Sequence, residues 1–150
     1  MKTQALVVGF ITALSTIASG TQITPTPIAE LVAKADYIFV GRIVKVDIVD
    51  QNGALLADPK SRTGPGEGNT IRYHVVVDRK NIIKGNRKKI PKQLIVPKWP
   101  RWHATLENEK PKVDGKNFIF LLAGKDLAPV SAPESVREMS EREAIEKLIK

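Results

Sequence analysis

Two long stretches in which apolar and polar residues alternate decide what this chain can become. They are YIFVGRIVKVDIVD, from Tyr37 to Asp50, and TIRYHVVVDRKNIIKG, from Thr70 to Gly85. Both are rich in β-branched and aromatic residues at period two, a pattern that a strand satisfies and a helix does not. The first begins apolar on both faces. It then sets Val40, Arg42, Val44, Val46 and Ile48 against Gly41, Ile43, Lys45, Asp47 and Val49. A strand two-sided at one end and one-sided at the other suits a curved barrel wall, with Gly41 where it bends or approaches another backbone. In the second, Ile71, Tyr73, Val75 and Val77 share one face and Arg72, His74, Val76 and Asp78 the other. The alternation slips by Ile82 and Ile83, which predicts a bulge near Lys80 and Asn81.

Shorter elements flank these strands. Thr26 followed by Pro27 predicts a helix from Pro27 to Ala35, with the threonine hydroxyl as N-cap and proline in the first turn. Asp36 ends it. Gln51 to Asn69 is a turn-rich stretch expected to be nearly structureless, and a loop of that length is either functional or mobile. Gly85 and Asn86 make a turn, and Gln93 to Val96 reads as a short strand closed by Pro97. Glu107 and Glu109 read as surface carboxylates of a polar loop. Lys116 to Ala123 is the most hydrophobic strand and belongs at the centre of the sheet. Leu127 to Val130 is a brief edge strand. Ser140-x-x-Glu143 has the form of a capping box. It predicts a C-terminal helix whose apolar side, Ala144, Ile145, Leu148 and Ile149, would close a barrel mouth.

The N-terminus reads as an export leader. Lys2 precedes an uncharged apolar run from Ala5 to Ala18, and Ala18-Ser19-Gly20 offers small residues for cleavage. The run is about fourteen residues, short of the ~20 needed to span a bilayer. The chain has no cysteine, which excludes a lipid anchor, disulfides, thiolate chemistry and a cysteine-ligated zinc. The expected organisation is a signal peptide over 1–20, a linker over 21–26 and a single domain over 27–150. The expected location is the periplasm or the external medium.

The order of parts resembles the netrin-like modules of tissue inhibitors of metalloproteinases, and exported bacterial domains similar to them. The residues that carry the likeness are Ala35, Asp36 and Gly41, then Ile83, Lys84 and Gly85, and then Gly115, Phe118, Phe120, Leu121 and Leu122. It spans about Pro27 to Gly124. The resemblance implies a mostly β fold, a five-stranded OB-type barrel with a short N-terminal helix and a C-terminal helix. The animal inhibitors use disulfides and an N-terminal cysteine that chelates the target's zinc. This chain has neither, so metalloproteinase inhibition is not carried over.

The most distinctive local chemistry lies between Arg79 and Arg101, which holds nine basic residues and no acidic one. The whole chain carries a formal net charge of +8, which favours anionic partners. Clustered cations neutralise phosphate or sulfate, and flat aromatics stack on bases or sugars. Lys84, Arg87, Lys88, Lys89, Trp99, Arg101 and Trp102 are therefore the candidate ligand-binding residues, for an anionic polymer or an acidic protein. A solvated basic hairpin with the tryptophans packed on the barrel is the alternative. The acidic run Glu134, Glu138, Glu141, Glu143 and Glu146 either folds back to screen this segment or forms a solvated helix face. A different class of function, a protein-partner or inhibitor module, would act through the 51–69 loop and the mature N-terminus. A metal-assisted hydrolase would need His74 and His103 to converge with Asp78, Glu107 or Asp114. No nucleophile elbow, phosphate loop or Ser-His-Asp order is present. The reading is a non-enzymatic binding module, with no catalytic residues, metal or cofactor.

Overall fold

In the computed structural model, which describes residues 24–150, apolar spacing is converted into two layers of packing around one curved sheet. The leader and the first half of the linker lie outside the described residues. The chain runs α1 (Ile28–Lys34), β1 (Tyr37–Val49), β2 (Arg62–Thr63), β3 (Thr70–Lys84), β4 (Gln93–Lys98), β5 (Ala104–Thr105) and α2 (Leu106–Val113). It continues through β6 (Asn117–Ala123), β7 (Ala128–Pro129), β8 (Val136–Arg137), a 3-10 turn at Met139–Glu141 and α3 (Arg142–Ile149). The fold is mostly β.

The main sheet is antiparallel with strand order β4-β3-β1-β6-β7, and β8 also pairs with β6. Strands β1, β3 and β4 form a meander, and β6 returns by a long connection to the other side of β1. That spatial order is a Greek key. The expected closed barrel is not formed by backbone pairing, because β4 and β7 are edges with no ladder between them. Side chains bridge the gap instead. The Lys98 ammonium donates to the Pro133 carbonyl at 2.6 Å, and the Arg101 guanidinium bonds Glu134.

Both faces of the first half of β1 are buried, as its sequence requires. Phe39, Ile43, Tyr73, Val75, Val96, Phe118 and Phe120 point into an inner cluster. The rings of Phe39 and Phe120 stack there with centroids 5.7 Å apart. Ile38, Val40, Ile119 and Leu121 point outward and are covered by α1 and α3 through Leu31, Val32 and Ile145. Each such side chain, fully buried, is worth about 1.5–3 kcal/mol.

Three register shifts bend the β1–β3 pair, one between Ile43 and Lys45 and two where β3 runs past Ile38 to Gly41. Ile43 faces Val75 and Lys45 faces His74, so β1 advances two residues while β3 advances one. Val44 is the extra residue. This corrects the expected faces: Val46 and Ile48 join Phe39, Gly41 and Ile43 on the inside, and Val44 stands half exposed outside. The largest break falls where β3 slips, because Phe39 faces Ile82 and Gly41 faces Val77. It matches the bulge expected near Lys80 and Asn81. Gly41 sits between the breaks, and a Cβ there would collide with Val75 Cγ1 and lie 3.2 Å from the Phe120 ring.

Asp36, Gly85 and Gly124 meet at one corner. The Gly124 amide donates to Asp36 Oδ2 at 2.7 Å, and a Cβ on Gly85 would lie 2.6 Å from the Asp36 carbonyl oxygen. Gly85 has φ +98°, so both space and backbone favour glycine.

The helices depart from expectation. Pro27 takes the N-cap position of α1 without a side-chain cap, and the Thr26 amide donates to Glu134. The Ser140 capping box does not form, since α3 begins at Arg142 after the 3-10 turn with no side-chain cap. Helix α3 lies on the outer face rather than over a barrel mouth, and Ala144 and Leu148 stay exposed. Helix α2, expected as loop, packs Leu106 and Val113 on the inner cluster. Thr105 caps it by accepting from the Asn108 amide at 3.3 Å. Pro97 lies within β4, opposite Arg72, rather than closing it. An edge strand tolerates a missing N–H.

Candidate functional site

Strand β4 separates the candidate residues into two groups. Arg87, Lys88 and Lys89 lie in the turn before β4, and Trp99, Arg101 and Trp102 follow its last residue. Six residues of strand intervene, about 20 Å at the rise of an extended chain.

At the first end, Asn86 organises the turn, its side chain accepting from the Lys88 amide at 2.9 Å and its carbonyl from the Lys89 amide at 3.0 Å. Arg87, Lys88, Lys89 and Lys92 are exposed. Among the described residues, none of the four has a carboxylate within 4.0 Å. Arg79, Lys80 and Arg87 line a recess of about 280 Å3 beside the turn. Lys84 is placed differently. Its ammonium donates to the Val32 carbonyl at 3.0 Å, at the C-terminal end of α1. It braces a helix end, where a cation is favoured.

At the second end, three chain segments converge. Trp99 is 43% exposed and its indole N–H donates to Thr70 Oγ1 at 2.9 Å, which orients the ring. Arg101 bonds Glu134, a buried carboxylate that also accepts from the Thr26 amide at 3.1 Å and the Ser131 hydroxyl at 3.3 Å. Burial pushes the Glu134 carboxyl up, but the bonds from Thr26, Arg101 and Ser131 outweigh it and hold it below its ordinary value. Trp102 is 73% exposed. Beyond it, Ala104 and Thr105 pair with Thr63 and Arg62, so part of the 51–69 loop is pinned beside the tryptophans. His103 Nδ1 lies 3.3 Å from Glu67 Oε1, and Arg62 Nε 3.6 Å from the same oxygen. The loop is thus less free than its composition implies. Asp50 caps its first turn by accepting from the Asn52 and Ala54 amides.

Glu134 folds back onto the basic segment. The later acids stay local, with Glu141 on Arg137, Glu146 on Arg142 and Glu143 on Lys147.

The outer face of β1 and β3 carries a polar cluster that the sequence reading missed. Asp47 is buried and accepts from Arg72 Nε at 2.7 Å and Nη2 at 3.0 Å. His74 Nε2 lies 2.7 Å from Asp47 Oδ2. Burial raises the Asp47 pKa, but the bonds and charges of Arg72 and His74 prevail and bring it down to about 2. The signal was present in the register, because Asp47 faces Arg72 across the strands. His74 and His103 take different carboxylates. Among the described residues, no group of three or more His, Cys, Asp or Glu gathers as a metal site would require.

Glu109 is a second surprise. It accepts from the Tyr73 hydroxyl, which emerges from the inner cluster under α2. Burial, reinforced by Glu109, pushes the phenol pKa well above its ordinary value.

No known protein family, curated protein or solved structure matches the chain.

Proposed function

We propose that this is an exported, non-enzymatic binding module of OB, netrin-like type that grips a protein partner through its tryptophan end. The observation that carries the reading is the convergence of three segments around an exposed Trp102. The Trp99–His103 stretch, the 62–68 part of the loop and the chain entering at Thr26 are cross-braced by Trp99–Thr70, Arg101–Glu134–Thr26 and the β2–β5 ladder. An exposed tryptophan beside a part-buried arginine on a fixed frame is the composition from which interface hot spots are made. A rigid frame lowers the entropy lost on binding. The OB assignment rests on the Greek-key order and the open seam between β4 and β7, which suit a partly open barrel. Export rests on the Lys2 to Gly20 leader pattern.

A photo-reactive side chain at position 102 of the exported protein tests the site. It should capture a discrete partner that excess wild-type protein competes away and excess Trp102→Ala protein does not. Equal competition by the variant would overturn the reading.

A second reading, recognition of an anionic polymer, is favoured by the four exposed cations of the 87–92 turn. It is confined to that end of β4. Changing Arg87, Lys88 and Lys89 together to glutamate should abolish heparin binding while Trp102→Ala leaves it intact. Heparin affinity unchanged in the triple variant would sink it.

A further inference from the structure

The groove between α1 and α3 is a third surface, independent of Trp102 and of the basic turn. Helix α1 buries Leu31 and Val32 against the sheet, and α3 buries Ile145 in the same outer cluster. Ala29, Val32 and Ala33 stand on one side of α1, at the i, i+3, i+4 spacing of a helix face. With Leu148 and Ile149 of α3 they line an open groove of about 300 Å3. Leu148 is 45% exposed, and Ala29 and Ala33 are exposed as well. Every helical side chain along the groove is aliphatic.

One charged side chain lines it. Lys84, the last residue of β3, reaches the groove where its ammonium donates to the Val32 carbonyl. An ammonium has three N–H donors, and among the described residues this one has no carboxylate partner. The carboxylates of the two helices are already taken, Glu30 by Lys34, Glu143 by Lys147 and Glu146 by Arg142. Ile149 also lines a second recess, where Lys80, Arg142 and Lys150 stand against the single carboxylate of Glu146. The surroundings of Lys84 are therefore cationic, and neither helix offers it a counter-ion.

We propose that the α1–α3 groove binds an unbranched medium-chain carboxylate, its head on Lys84 and its tail between Ala29, Ala33 and Leu148. The carboxylate accepts from the ammonium N–H groups that the Val32 carbonyl leaves over, a charge-assisted bond. The tail takes the exposed side of Leu148 and the two alanine methyl groups out of water. Ala29 and Ala33 are one turn apart, about 6 Å along the helix axis, so a short tail fills the groove. A neutral or cationic amphiphile would leave Lys84 without a counter-ion. An anionic polymer would leave the aliphatic walls uncovered. A single tail with one anionic head satisfies both.

The test titrates isotope-labelled protein with octanoate below its micelle concentration, followed by NMR, with octylammonium and 1-octanol as controls. Octanoate should shift the methyl groups of Ala29, Val32, Ala33 and Leu148 and the ε-methylene of Lys84. Octylammonium should bind at least about tenfold more weakly. From butanoate to octanoate, affinity should rise about two- to fourfold with each added methylene. Ala33→Leu fills the groove from an exposed helical position and should weaken octanoate binding at least about tenfold. Lys84→Met should bring octanoate down to the affinity of 1-octanol. Because Lys84 also braces α1, Ala33→Leu decides if Lys84→Met loosens that helix. Equal binding of octylammonium, affinity independent of tail length, or unchanged affinity in Ala33→Leu would each overturn the proposal. So would an absence of shifts, or shifts centred on the 87–89 turn or on 99–103.

Discussion

Replacing Asp47 by asparagine isolates one charge in the polar cluster outside the sheet. Asparagine keeps the shape and can still accept from Arg72, so what is lost is ionisation rather than packing. The Asp47 carboxyl is held at about 2 against an ordinary value of 3.8. That difference corresponds to about 2 kcal/mol in favour of the folded, ionised form. Arg72 retains 29% side-chain exposure and can be rehydrated, so no further penalty for an abandoned buried cation is added. The cost at pH 7 is therefore about 2 kcal/mol, or a midpoint lowered by about 8 °C for a domain of this length.

The sign of the pH dependence is fixed by the direction of the shift. In the unfolded chain the carboxyl takes up its proton near 3.8, and in the folded chain only near 2. The advantage of wild type over Asp47→Asn is full above about pH 5, shrinks as pH falls from 4 to 2, and vanishes below 2. Urea unfolding of both proteins at pH 7, 4, 3 and 2 measures it directly. A gap of 2 kcal/mol that persists unchanged at pH 2 would refute the electrostatic account and assign the loss to packing.

Three further substitutions probe other parts of the frame. Gly41→Ala places a methyl against Val75 and the Phe120 ring, and should cost about 1–3 kcal/mol. Val75→Ala in the same chain should recover part of that, which a double-mutant cycle in urea would read. Tyr73→Phe leaves Glu109 without its phenolic donor. It should cost about 1–3 kcal/mol and speed amide exchange across Leu106–Val113, with unchanged exchange there counting against a role in holding α2. Burial depresses the Lys98 ammonium below its ordinary 10.5, although Glu109 and Glu134 oppose the shift. The unfolded state then binds more protons, so stability rises with pH toward 10.5. The wild-type minus Lys98→Met difference should accordingly grow between pH 7 and 10, and a flat difference would contradict it.

The strands were legible where side-chain period and burial agree. Ile71, Tyr73, Val75 and Val77 alternate without interruption and all four are buried. The bulge at Lys80 and Asn81 was legible because apolar spacing slips there. The bulge at Val44 was not, because valines stand at 44 and 46, and the alternation continues in letters while the backbone changes phase. Helix α2 was hidden for a different reason. Only Leu106 and Val113 carry it onto the inner cluster, and an exposed Pro111 stands inside a helix that tertiary contact nevertheless supports. The candidate site was legible as residue types and not as geometry. Trp102 and Arg101 are neighbours in sequence, but Glu134 lies thirty-three residues from Arg101 and a hundred and eight from Thr26. No local pattern announces such a meeting.

The same distinction governs the basic segment. Of its nine cations, Arg79, Lys84 and Lys98 donate to the carbonyls of Ile90, Val32 and Pro133, and Arg101 bonds Glu134. Two of these four lie across the open seam between β4 and the chain that follows β7. A domain without cysteine has no disulfide with which to close such a seam. A long cationic side chain that reaches a backbone acceptor is an alternative tie, because a charge-assisted bond is roughly twice as strong as a neutral one. Part of the positive charge is thus explained by the fold before any ligand is considered. Only Lys80, Arg87, Lys88, Lys89 and Lys92 are left without such a tie to attract an anion from solution. It follows that truncating Lys98 or Arg101, which removes the donor that reaches across, should loosen the seam, whereas neutralising the turn should change what the surface attracts and leave the seam intact.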